Sequence, residues 1–174
     1  MLFFMLYFKW FFKIMAHLKR PVAEFNIYVD PDAAQIVFGN KELQGKIVLI
    51  PLEVTHTARL SKEILERIQP CRSKFRQLLV DIGVYFAGTY STVFGLSDGP
   101  PLHDVVAMAY VALGEADFTQ KAMYGYVVRG DECRGQTVCD FYNRDSTKPK
   151  NIIVATKVKV CLVQGKGLIE NLKN

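Results

Sequence analysis

The sequence has no Cys-x-x-Cys pair and only four cysteines, Cys71, Cys133, Cys139 and Cys161. Four scattered thiols in 174 residues do not make a disulfide scaffold, and the missing pair excludes a zinc ribbon. They read most simply as buried small apolar residues. No glycine-rich phosphate loop is present, since Gly-Lys-Gly at 165–167 lacks the spacing. There is no internal repeat, low-complexity tract or long linker. With half of the chain apolar and 22% charged, enough surface is available to bury the core of one domain.

An evenly basic surface is also missing. The net charge of +5 comes mainly from residues 1–20, where Lys9, Lys13, Lys19 and Arg20 face no acid. The remaining 154 residues carry 18 basic against 17 acidic side chains. A near-neutral body without a basic stripe excludes nucleic acid as the expected partner. The first 20 residues also hold 15 apolar side chains and 7 of the 21 aromatics. The run Met1–Ala16 is too short for a spanning helix, and Lys9 and Lys13 interrupt it. The order of charge and apolar residues is wrong for a signal peptide. Two readings stand: a leader foreign to the body, or membrane-surface contact through residues 1–16. The absence of a signal peptide or clean span favours a cytoplasmic, and also allows a nuclear, location.

Patterning alternates strands with helices and predicts an α/β fold. Phe25–Val29 reads as a short strand. Asp30-Pro31-Asp32 starts a helix that stops at Gly39-Asn40. Ile47–Ile50 is a continuous apolar run, read as a strand buried on both faces and extending to Val54. Ser61 opens a helix ended by Pro70. Ser73 opens a longer one with Phe75, Leu78, Leu79, Ile82, Tyr85 and Phe86 on one side. A helix over Asp104–Leu113 follows a polar loop. Two strands, 124–128 and 136–141, flank a charged turn, and Asn151–Val160 reads as a partly exposed strand.

Two segments could carry chemistry. If residues 21–30 are extended, Glu24 and Asn26 share a face. A carboxylate beside an amide clamps sugar hydroxyls, or is simply the polar face of a strand. In Gly99-Pro-Pro-Leu-His103-Asp104, a stiff loop delivers His103 and Asp104 to a helix start. Asp104 is there either an N-cap or a ligand for a hard cation, and His103 titrates near neutral pH. His56 lies beyond the 47–54 strand, as a site residue of lower rank or a structural histidine. Glu53 reads as a solvated or capping carboxylate.

Four segments together resemble the C-terminal half of the inosine–uridine-preferring nucleoside hydrolases. These are residues 23–34, Leu-Glu-Val-Thr-His at 52–56, Gly-Pro-Pro-Leu-His-Asp at 99–104 and Arg-Gly-Gln-Thr-Val-Cys-Asp at 134–140, in family order. The resemblance covers residues 21 to about 160. It implies the corresponding part of that fold, a partial open mixed sheet with flanking helices. It also implies hydrolysis of the N-glycosidic bond of a ribonucleoside substrate, uridine or inosine, with Ca²⁺ as cofactor. By this resemblance Glu24 and Asn26 hold ribose, His103 protonates the leaving base and Asp104 is a calcium ligand. Family members are often dimers or tetramers, so a homo-oligomer is compatible.

The family's Asp-x-Asp-x-Gly-x-Asp-Asp cluster has no counterpart here, since Glu24 is the one acid ahead of Asp30. Where the family has Gly-Asn-Val-Thr-Pro, this chain reads His17-Leu-Lys-Arg-Pro21. The expectation is a leader over 1–20 and a truncated hydrolase-like domain over 21–174, with an incomplete calcium site and little or no turnover. The alternatives are a non-catalytic remnant and a membrane-associated interaction protein.

Overall fold

The computed structural model describes residues 2–4, 22–69, 73–95 and 97–159. Two compact units form. The first holds the described residues of Met1–Val54 and Phe118–Val158, the second those of Thr55–Asp117 and Lys159–Asn174.

The first unit carries the sheet. Strand β1 (Leu2–Phe4), taken from the aromatic-rich leader, pairs in parallel with β2 (Ile47–Leu49), Leu2 opposite Ile47. On its other side β2 pairs in parallel with β6 (Ile152–Val158), and β6 pairs antiparallel with β3 (Phe118–Met123). The order β1-β2-β6-β3 makes a mixed sheet. Strand β2 lies between two neighbours with all three residues buried, which explains its unbroken apolar run. A separate antiparallel pair joins β4 (Gly125–Val127) to β5 (Thr137–Cys139). Strand β3 was not legible in the sequence. Only its terminal Phe118 and Met123 are buried, and its polar middle is held in place by β6.

The 25–29 segment corrects an expectation: it is helix α1 (Phe25–Val29), not a strand. Glu24 caps it, which turns the chain before the β-branched residues can extend. Glu24 and Asn26 therefore do not alternate along an extended face. Helix α2 (Pro31–Gly39) follows as expected, with the Asp30 carboxylate accepting from the Ala33 amide at 2.9 Å. The core gathers Ile27, Phe38, Ile47, Leu49, Met123 and Ile152. Asn151 closes it at one end. Its Nδ2 donates to the carbonyls of Phe38 and Gly125, and its Oδ1 accepts from the Gly125 amide, all at 2.8 Å.

A second correction concerns residues 50–55. Strand β2 ends at Leu49, and after Pro51 the chain turns into helix α3 (Leu52–Thr55). Proline is suited to a position ahead of a first helical turn, and it cannot extend a buried ladder. His56 thus follows a helix rather than a strand.

In the second unit, Ser61 caps α4 (Lys62–Ile68) and Ser73 caps α5 (Lys74–Phe94), both as expected. The apolar side of α5 is exposed, Phe75, Leu78, Leu79, Ile82, Tyr85 and Phe86 included. The helix packs through Val80 and through Gly83, whose missing Cβ makes room for the Leu60 side chain. Helix α6 (His103–Leu113) begins one residue earlier than the sequence suggests. No helix among the described residues is long and apolar enough to cross a membrane. Residues 5–16, which hold most of the segment considered for membrane contact, lie outside the described set, as do Cys71 and Cys161.

Candidate functional site

In the first unit, Glu24 is 6% exposed and both its cap bonds fall on Oε2, from the Asn26 amide at 2.8 Å and the Ile27 amide at 3.2 Å. The cap does not engage Oε1. Burial raises the Glu24 pKa against the opposing pull of the two amides. Asn26 lies one turn-position inside α1 with its residue exposed. The turn at Gly135 packs on this segment: a Cβ there would approach Ala23 Cβ to 3.0 Å. Segments 23–34 and 134–140, distant in sequence, are thus neighbours.

Glu53 was undervalued by the sequence reading. It is neither solvated nor a cap: both carboxylate oxygens are buried without a hydrogen-bond partner among the described residues. Burial pushes its pKa up to about 7, with only its own backbone amide opposing. Its charge helps push the Cys139 thiol up to about 12, although burial is the larger cause. Cys139 is half-buried, as expected for a small apolar residue, whereas Cys133 is exposed, contrary to that expectation.

In the second unit, the 97–102 loop is clamped before it delivers His103. The Leu60 amide donates to the Pro100 carbonyl at 2.9 Å, and the Leu102 amide to the Ala58 carbonyl at 2.8 Å. Gly99 sits at φ +95°, and a Cβ there would come within 2.1 Å of the Leu60 carbonyl oxygen, so only glycine fits this approach. Arg59 reaches Asp98 at 3.6 Å.

His103 is the first residue of α6, and its Nδ1 lies 2.7 Å from Thr55 Oγ1. The His56 ring meets it edge-on, with centroids 5.2 Å apart. Burial lowers the His103 pKa to about 4. His56 also falls to about 4, through burial first and then the charges of His103 and Arg59. Both imidazoles are therefore uncharged at neutral pH, against the sequence expectation that His103 titrates there.

Asp104 is exposed in the first turn of α6. It is not an N-cap, because Leu102 holds that position without a side-chain cap bond. Its charge contributes, after burial, to raising the Tyr90 pKa.

Among the described residues, no group of three or more His, Cys, Asp or Glu side chains is placed to hold a metal ion. Asp104 alone offers two oxygens where Ca²⁺ takes about 6–8. The described donors therefore do not fit calcium.

A mixed sheet with flanking helices makes this an α/β protein with a fold of the nucleoside-hydrolase type. The chain matches the family described as inosine-uridine preferring nucleoside hydrolase over residues 15–163, and it belongs to that family. The match begins ahead of Pro21 and so takes in residues assigned above to the leader. An uncharacterised protein of Schizosaccharomyces pombe is 37% identical over 140 residues, covering 80% of this chain and 42% of its relative. A probable ribonucleoside hydrolase of Dictyostelium discoideum is 35% identical over 147 residues, with the same coverage of 80% and 42%. A solved purine-preferring ribonucleoside hydrolase from Gardnerella vaginalis superposes with a TM-score of 0.71 at 26% identity, over 82% of this chain and 44% of that one. The chain thus spans less than half the length of the relatives it matches.

Proposed function

We propose that this chain serves hydrolysis of the N-glycosidic bond of a ribonucleoside, uridine or inosine, giving ribose and free base. The observation that carries this reading is the family match over residues 15–163. Glu24 accepts from ribose hydroxyls through Oε1, the oxygen outside its cap, and Asn26 adds an amide. His103 meets the leaving base. Asp104 is the carboxylate that the family resemblance assigns to the cation.

The chemistry agrees with these roles. Glycosidic cleavage develops positive charge on the sugar, which a fixed ribose beside a carboxylate stabilises. The departing base needs its negative charge relieved, and a well-placed donor is worth about 10²–10⁴-fold. An imidazole kept neutral by burial supplies a hydrogen bond rather than a stored proton.

A second reading, a ribose-binding protein that hydrolyses nothing, is favoured by the lack of a metal-holding group among the described residues. The two are separated by incubating the purified 174-residue chain with uridine or inosine and Ca²⁺ and measuring released ribose. The expected result is turnover at least about 10²-fold below that of a full-length relative. Nucleoside binding without any release supports the second reading. Absence of both binding and release overturns both.

A further inference from the structure

We propose that the outer edge of β2 is a strand-acceptor site, and that residues 2–4 are a donor strand which fills it and so keeps it from pairing with a second copy of the chain.

Two observations carry this. Leu2, Phe3 and Phe4 stand opposite Ile47, Val48 and Leu49 in an unbroken parallel register. Residues 2–4 nevertheless lie outside the family match, which begins at residue 15. The residues of β2 are at most 2% exposed, and buried backbone N–H and C=O groups have to be paired. On the outer side of β2 that pairing comes from a segment the family match does not include.

The second observation is a contrast between the two ends of the order β1-β2-β6-β3. Strand β3 is built as an edge. Lys121 is exposed in its middle, and its register shifts between Thr119 and Gln120. A charge and an irregularity are devices by which an edge refuses further strands. Strand β2 has neither: Ile47–Leu49 is uncharged, free of proline and in even register with both neighbours. Uncovered, this edge would pair with the same edge of a second copy, across a two-fold axis.

Hydrogen exchange of single amides, followed by NMR on the full chain, tests this. Successive residues of a strand turn their amides to opposite neighbours. Either Val48 or the pair Ile47 and Leu49 therefore faces β1, and the other set faces β6. In the wild type both sets should exchange at least about tenfold more slowly than in an unstructured chain. Phe3→Pro and Phe4→Pro are then compared. Only one of these two amides faces β2, and proline is tolerated in an edge strand where the amide faces outwards. One variant should behave as wild type. The other should lose protection at the β1-facing set, keep it at the β6-facing set, and form dimers with rising concentration in sedimentation velocity. Free exchange of either set in the wild type overturns the proposal, and that measurement needs no variant to fold. Equal behaviour of the two variants also overturns it, because a leader held by apolar contact alone would not distinguish adjacent positions. Selective loss of protection without association overturns the masking role. None of these readouts involves turnover.

Discussion

Gly135 and Tyr28 meet backbone to backbone: a Cβ on Gly135 would lie 2.9 Å from Tyr28 Cα and 3.2 Å from Tyr28 Cβ. Gly135 also adopts φ +85°, which strains any L side chain. Gly135→Ala must therefore accept a left-handed backbone and push α1 away at once. The expected loss is about 1–3 kcal/mol in chemical denaturation. An unchanged midpoint would mean that the 134–140 turn does not bear on the Glu24 segment.

The capping role of Glu24 separates structure from function at one position. Glu24→Ala removes the acceptor for two amides and should cost about 0.5–2 kcal/mol. Glu24→Gln keeps a carbonyl acceptor and should recover most of that loss. If Glu24 also grips ribose, both variants should bind ribose more weakly in calorimetric titration. Recovery of binding together with stability in Glu24→Gln would leave the residue as a cap alone.

How much of this arrangement was legible in the sequence depended on whether the signal was local. The caps at Asp30, Ser61 and Ser73 could be read because a side chain and its amides lie within three residues. Strand β2 could be read because burial on both faces demands a continuous apolar run. Helix α1 could not, since Phe-Asn-Ile-Tyr-Val favours a strand by composition and glutamate is not a common cap. The apolar side of α5 could be read as a stripe but not as exposed, because periodicity reports a face without saying what covers it. Asn151 and Glu53 gave no signal at all. Asn151 is saturated by partners far away in sequence, and the Glu53 carboxylate oxygens are buried without a side-chain partner among the described residues.

Asn151 supplies a stability test free of any functional assumption. Asn151→Ala leaves the Phe38 carbonyl and both backbone groups of Gly125 without their side-chain partner inside the core. A loss of at least about 1–3 kcal/mol is expected, the cost of a buried group left unsatisfied. Asn151→Asp should fare no better, because its carboxylate cannot donate to the two carbonyls. Thermal melts of the three proteins check this. A neutral Asn151→Ala would show that β4 and β6 do not depend on the bridge.

The exposed side of α5 predicts solution behaviour. Leu79 is 51% exposed among other apolar residues on that helix. Leu79→Glu removes apolar surface without opening a cavity, so stability should change by no more than about 0.5 kcal/mol. Concentration-dependent light scattering should fall. Scattering that is unchanged would assign self-association to another surface.

Glu53, His56 and His103 together set the shape of stability against pH. The histidine pKa values drop from 6.5 to about 4 in the fold. Between those limits the unfolded chain binds protons that the folded chain does not, so stability falls as pH drops through this window. Glu53 moves the other way, from 4.5 up to about 7. Its protonated form favours the fold below pH 4.5, and that advantage is lost as pH rises through 7. Across the overlap two groups gain stability with rising pH while one loses it, so the wild-type acid limb is shallower than the histidines alone would make it. Each group is partly solvent-accessible, which limits its contribution to the order of 1–2 kcal/mol. Glu53→Gln should therefore steepen the rise up to pH 6.5 and raise stability at pH 8, with little effect at pH 4. His56→Gln should flatten the same limb. Urea denaturation from pH 4 to 8 reads both effects, and a Glu53→Gln curve parallel to wild type would show that the buried carboxyl is not held protonated.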